Sequence, residues 1–292
     1  MRIEVKVPGS CGELIQGKWR GKSFLVTCPV DIYATAVVTD EHEHFCGLGQ
    51  KSLQAARLAL EYLGHRHFPY GLELLSDLPV GKGMAASSAD VVAVLLAVSA
   101  GFGHPFRAKE LAELATQIEP TDGTFFPGIV RMDSMTGQCF EHWTDIPRLA
   151  IAVFDTGGMV DTVAFHQRKD LAMLEAAKEA EICRALRCLR ETPLTAGRIA
   201  EAASISALAN QSILPKKSLE QIVEAARAEG ALGIDIAHSG TVIGALFAPE
   251  AQEETIEAAA AHLTAQFPHL AYLRTVRMIS GGFTIRYEGK DA

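Results

Sequence analysis

"LPVGKGMAASSADVVAVLLAV", Leu78 to Val98, is the stretch that decides how this chain folds. Two glycines and a run of alanines and serines stand directly before Ser88 to Ala100, an apolar segment that reads as a buried helix ending at "GFG". Gly81 and Gly83 let the backbone turn with its N–H groups inward, and Ala85, Ala86, Ser87 and Ser88 keep the next turn small. The helix then aims its positive end at the same space, which suits an anion. A glycine-rich turn whose small residues only permit close helix packing fits the same letters.

Two familiar phosphate loops fit less well. Walker A needs a glycine, four residues and Gly-Lys-Ser/Thr. Here Gly81-Lys82 is followed by Gly83, and Ser76 stands where the first glycine belongs. Gly81 to Ala86 does satisfy G-x-G-x-x-A. However, Pro79 interrupts the strand that should precede it, and no acidic strand end follows about 20 residues later.

Upstream, "RIEVKV", "SFLVTCPV" and "IYATAVVTD" alternate as strands between turns, Lys51 to Gly64 has helical spacing, and "YGLELLSDLP" is a short strand. Downstream come a helix over Arg107 to Ile118, the loop "EPTDGTFFPG", and strands in "IVRMDSMTGQCFEHW". A boundary near Pro147 divides the chain into 1–147 and 148–292. Beyond it, "RLAIAVFDTGG" is a strand entering a glycine turn, and Val163 to Ala265 is mainly helical around "GIDIAHSGTVIGALFA". The final "LRTVRMISGGFTIRYEG" reads as a hairpin-like strand pair.

Composition narrows the partners. Apolar residues at 48% and charged residues at 21% over 292 positions describe a globular chain. A net charge of −8 with no basic run argues against nucleic acid. The strand-like opening carries no secretory pattern, and the longest apolar run, Val91 to Val98, is far below the roughly 20 residues of a membrane span. The expectation is a cytoplasmic protein without a membrane partner. Its six cysteines include no CxxC pair and read as reduced structural thiols. "EHEH", Glu41 to His44, reads as a solvated turn.

"PVGKGMAASSA", Pro79 to Ala89, resembles the central "PxGxGLGSSAA" motif of the GHMP small-molecule kinases, with Met84, Ala85 and Ala86 replacing Leu, Gly and the first Ser. "PGSCGELIQG", Pro8 to Gly17, resembles a variant of the family's first motif, and "AHSGTVIGALF", Ala237 to Phe247, its third. The three stand in family order and cover most of the chain. This resemblance implies an α+β fold in two halves, the N-terminal one of ribosomal-protein-like βαβ type and the C-terminal one ferredoxin-like. It also implies ATP bound at Pro79, Gly81, Lys82, Gly83, Met84, Ala85, Ala86, Ser87 and Ser88, with Mg²⁺ on Ser87 and Glu119. Asp122 matches the carboxylate that faces the acceptor hydroxyl, although it follows Glu119 more closely than in many members. Glu113 is the reserve metal ligand, and Asp122 also suits a plain Asp-Gly turn. Lys82 serves either as a point charge on phosphate or as a solvated loop lysine.

"CGELIQG", "CPVDIY", "EPTDGTFFPG" and "FDTGGMVDTVAF" together resemble the branch that phosphorylates L-threonine for the aminopropanol arm of cobalamin, in synthesis or salvage. Homoserine kinase is the rival within the family, and a non-catalytic nucleotide- or metabolite-binding regulator is the rival outside it. A zwitterionic acceptor needs anions near its ammonium, for which Glu13 and Asp31 are candidates. Gly157 and Gly158 are candidate donors to its carboxylate, while Ser239, Gly240 and Thr241 support the loop and the acceptor pocket. Phe125, Phe126 and Trp143 read as core beside the active loop. The partner is a small molecule, and a homodimer is compatible with the chain.

Overall fold

The computed structural model describes residues 1–158 and 168–288. Strands β1 (Arg2–Trp19) and β2 (Lys22–Thr39) form one long hairpin. Its two turn residues, Arg20 and Gly21, have φ of 52° and 73°, the left-handed pair that matches the twist of the flanking strands. Alternate residues Ile3, Val5 and Val7 of β1 face the core. The ladder breaks between Pro8 and Ile15, where register shifts bulge β1 beside the site described below.

Then follow β3 (Phe45–Cys46), α1 (Gln50–Tyr62), β4 (Gly71–Ser76), α2 (Ala86–Gly101), α3 (Ala108–Ala115), β5 (Ile129–Met132) and β6 (Cys139–Trp143). The second half holds β7 (Ala150–Asp155), α4 (Leu171–Ala177), α5 (Glu179–Leu189), α6 (Ala196–Ala209), α7 (Leu219–Ala228), β8 (Gly233–Ile236), β9 (Val242–Phe247), α8 (Glu253–Gln266), β10 (Ala271–Arg277) and β11 (Thr284–Glu288). From α1 to β7 the expected elements lie where the sequence places them within a few residues. Before α1, however, β1 runs on from the expected Arg2–Val7 to Trp19, the two strands expected at 23–30 and 32–40 are the single strand β2, and β3 adds a short strand that the sequence does not suggest.

All these strands join one sheet with the path β10-β7-β9-β8-β1-β2-β4-β3, β11 adding to β1 and β5 with β6 to β2. The register between β8 and β1 is the pair Glu13 and Ile236, so the halves of the sheet are stitched at Glu13. Strand β7 turns Ile151 and Val153 toward the main core beneath α2, α5 and α6, and Ala150, Ala152 and Phe154 toward a second core under α7 and α8. Helix α2 packs on β1, β2, β4, α1 and α3 and is buried almost all round. Its valines are weak helix formers, and burial on every face outweighs that preference. Among the described residues, no helix is long and apolar enough to cross a membrane.

The chain end differs from expectation. Its two strands do not form a hairpin: β10 pairs with β7, and β11 pairs with β1. The connection between them is claimed by other elements, because Met278 bridges Val30, the Ile279 N–H donates to the Pro29 carbonyl at 3.0 Å, and Gly281 bridges Pro127. Alternation alone does not carry that information.

Close backbone approach makes Gly240 sensitive. A Cβ there would lie 2.4 Å from the Lys82 carbonyl oxygen and 2.6 Å from the Gly83 Cα. Gly21, with φ +73° and open space around it, carries backbone strain alone. In urea unfolding, Gly240→Ala is expected to cost about 3 kcal/mol against about 1 kcal/mol for Gly21→Ala. Equal losses would contradict this packing.

Candidate functional site

The glycine stretch forms a strapped loop ahead of α2. Gly81 and Gly83 have φ of 73° and 84°, and the N-cap Ala85 takes 56°, the left-handed conformation. The Met84 carbonyl accepts from the Ser10 N–H at 3.0 Å, and the Lys82 carbonyl accepts from Thr241 at 2.9 Å and Val242 at 3.2 Å. The buried Met84, with Leu78 behind Pro79, anchors the loop in the core. No side chain caps α2 and no acid stands in its first turn. The first N–H groups of Ala86, Ser87 and Ser88 therefore lack intrahelical partners and present a positive helix end. That arrangement fits phosphate oxygens.

Two consecutive serines reach carboxylates on the "EPTDGT" loop. Ser87 Oγ donates to Glu119 Oε1 at 2.5 Å, and Ser88 Oγ donates to Asp122 Oδ2 at 3.2 Å. The loop is held by the Thr121 N–H on the Ser134 carbonyl, by the Gly123 N–H on Thr27 Oγ1, and by fully buried Phe125. Gly123 is required by packing: a Cβ would meet Val130 at 2.6 Å. Glu113 points elsewhere, 3.8 Å from Lys109. Lys51, at the start of α1, donates to Glu119 Oε2 and lies 3.4 Å from Ser87 Oγ.

Ser87 and Glu119 are hard oxygen donors on a surface open to solvent, and they suit Mg²⁺. Among the described residues no group of three His, Cys, Asp or Glu forms a metal cage. The pair fits a cation that keeps several waters and takes its remaining ligands from phosphates.

Beside them lies a buried charge network. Glu13 Oε2 accepts from the His238 backbone N–H at 2.8 Å and from ring Nδ1 at 3.2 Å. With Nδ1 donating to a carboxylate, Nε2 accepts from Ser206 Oγ at 2.8 Å, and Ser206 accepts from the Gln16 N–H at 3.1 Å. Burial, with Lys178 and Lys216 nearby, holds the imidazole well below its usual range and neutral. Lys178 and Lys216 are each 5% exposed. Lys178 donates to Asn210 Oδ1 at 3.0 Å, and Lys216 donates to the Gly240 carbonyl at 2.7 Å. Burial pulls both ammoniums down to about 8, although Glu13 opposes this. Asp122 moves the other way: burial and the charge of Glu13 push its carboxyl up to about 7, against the lowering effect of its Ser88 hydrogen bond.

The remaining expected residues divide. Lys82 Nζ lies 2.7 Å from Asp155 Oδ2 and donates to the Gly158 carbonyl at 3.0 Å, so its charge ties the loop to β7. Burial would raise Asp155, but Lys82 and the Gly157 N–H hold it below the usual carboxylate range. Gly157 and Gly158 are exposed, with φ of 83° and 77°. Met159 to Phe165 of "FDTGGMVDTVAF" lie outside the described residues. Ser239, Gly240 and Thr241 form the turn under the loop. Asp31 stands apart, exposed, accepting from the Arg277 N–H at 2.7 Å. Lys51, Lys178 and Lys216 join the site without a distinctive local pattern, while Asp155 and His238 lie inside the quoted motifs "FDTGGMVDTVAF" and "AHSGTVIGALF", which do not single them out. "AKEAE" and "PKKS" look like solvated surface.

Family models described as "GHMP kinases N terminal domain" and "GHMP kinases C terminal" match residues 50–126 and 174–268. An L-threonine kinase of Salmonella typhimurium is 32% identical over 243 residues, covering 81% of this chain and 80% of the relative. A homoserine kinase of Moorella thermoacetica is 30% identical over 96 residues, 32% of each chain. The Methanococcus jannaschii mevalonate kinase structure superposes with a TM-score of 0.71 at 14% identity, covering 96% of this chain and 98% of that one.

Asp122 sets a stability signature. With its carboxyl raised from 3.8 to about 7, the folded protein holds a proton that the unfolded chain releases, so this group's contribution to stability falls as pH rises through that window. Asp122→Asn is expected to melt above wild type at pH 8 by at least about 2 °C, the gap closing toward pH 5. An Asn variant melting lower at pH 8 would refute the assignment.

Proposed function

This chain belongs to the GHMP kinase family, and on that premise we propose that it transfers a phosphoryl group from ATP to the hydroxyl of L-threonine. The product is O-phospho-L-threonine, for the aminopropanol arm of cobalamin synthesis or salvage. Family membership makes it a small-molecule kinase. The acceptor rests on the Salmonella relative and on the buried charges.

The observation that carries the reading is the pair of serine–carboxylate contacts made by consecutive residues at the start of α2. Phosphoryl transfer asks a protein mainly for positioning and charge neutralisation. The loop N–H groups and the helix end hold the phosphate oxygens. Ser87 and Glu119 would hold magnesium, which when bound neutralises charge on the phosphates. Asp122 accepts or orients the hydroxyl proton, and its raised carboxyl places the change between acid and base near neutrality.

Threonine is a zwitterion, and we place its ammonium toward Glu13 and its carboxylate toward Lys178 and Lys216. This differs from a Gly157–Gly158 carboxylate site, because the Gly157 N–H already donates to Asp155 Oδ1 at 3.1 Å. A ligand with equal and opposite charges enters a network of buried cations and anions without leaving one charge uncompensated. Asp31 takes no part in this arrangement.

An ADP-release assay with L-threonine, L-homoserine and L-serine tests the acceptor. Preference for threonine is expected; turnover confined to homoserine overturns the choice, and ATP binding without any transfer favours a regulator. Asp122→Asn should lower kcat by about 10²-fold or more. Wild-type kcat/KM should rise with pH through about 7 as Asp122 ionises. Lys216→Met should raise KM for threonine more than for ATP.

A further inference from the structure

Lys51 has no part in the transfer described above, and its local setting does not explain it. It stands in the first turn of α1, where the N-cap Gly49 offers no side-chain cap and no acid is present. A cation there faces the positive end of the helix dipole. Its side chain is 54% exposed, with solvent freely available. The ammonium nevertheless donates to Glu119 Oε2 and lies 3.4 Å from Ser87 Oγ.

We propose that Lys51 is a positioning residue whose ammonium takes the place on Glu119 and Ser87 that the divalent cation requires, so that metal loading demands an exchange of partners by Lys51. This rests on the Ser87–Glu119 metal pair of the kinase reading. One Glu119 oxygen accepts from Ser87 and the other from Lys51, which keeps both ligands facing each other. A doubly charged ion joining them while the ammonium stays would set like charges within a few ångströms of one another. Lys51 must leave. An aqueous cation arriving alone gives it no new partner, whereas a nucleotide's polyphosphate offers oxygens within reach of a flexible, exposed lysine. Lys82 does not share this task, since Asp155 and the Gly158 carbonyl hold its ammonium. Lys51 thus weakens loading by free metal and favours loading by metal with nucleotide, a coupling between two ligands through one side chain.

Mn²⁺ binding to the full chain, followed by the electron paramagnetic resonance of free Mn²⁺ without nucleotide or acceptor, tests the proposal. Lys51→Met is expected to bind Mn²⁺ about tenfold more tightly than wild type, the scale of losing one charge-assisted competitor. Lys51→Arg should retain the weak wild-type affinity. Calorimetric affinity for the non-hydrolysable analogue AMP-PNP with Mg²⁺ should fall in Lys51→Met while free Mn²⁺ affinity rises. Glu119→Gln should remove Mn²⁺ binding in both backgrounds. An unchanged or lower Mn²⁺ affinity in Lys51→Met overturns the proposal, as does Mn²⁺ binding that survives Glu119→Gln. Threonine turnover does not enter these readouts, so the exchange can stand even if the proposed acceptor is wrong.

Discussion

Two backbone N–H groups, those of Thr241 and Val242, converge on the carbonyl of Lys82, and the site depends on that contact. It fastens the glycine loop of the first half to the β8–β9 turn of the second, while the Ser10 N–H fastens the same loop to β1 through Met84. Backbones can come this close only where side chains are missing. Added Cβ atoms would stand 2.3 Å from Ala237 Cβ at Gly83, and 2.3 Å from the Ile236 carbonyl oxygen at Gly12. The loop is therefore a three-way junction. Its position sets where α2 begins and hence where Ser87 and Ser88 face.

Around the junction the protein accepts a cost in stability. Asp122 is held where its charge is poorly solvated, and Lys178 and Lys216 are buried while donating to the Asn210 amide oxygen and the Gly240 carbonyl. Groups in such surroundings respond strongly to an approaching charged ligand, because little water screens them. Cys11 and Cys28 lie in the same region, and burial with the nearby Asp235 raises both thiols far above their usual range, so they stay protonated and unreactive. The chemistry is left to oxygen and nitrogen groups.

Much of this was legible in the sequence. Helix α2 announces itself by a long run of small apolar residues after two glycines, and the β1–β2 strands by alternation. The pairing of Ser87 with Glu119, with Glu113 in reserve, was legible only through the family resemblance; periodicity and spacing alone do not choose between the two glutamates. Both glutamates flank the end of one helix, and only the fold of the 119–128 loop decides which one turns toward α2. The final strands misled for a related reason. Each has strand character, but their partners, β7 and β1, are far away in the chain.

The sequence by itself determined the elements, the glycine positions that permit close approach, and the oxygen donors from which a phosphate and metal site can be built. These are local properties, fixed by side-chain size, periodicity and backbone freedom. Tertiary structure alone decided which charges meet. Lys51 reaches across 68 positions to Glu119, Lys82 lies beside Asp155, and Glu13 reaches His238 across 225 positions. No sequence spacing encodes such distances, because they follow from how β1, α1 and the β8–β9 turn are packed around one loop. A lysine that reads as ordinary surface therefore becomes part of the site only once its neighbours are in place.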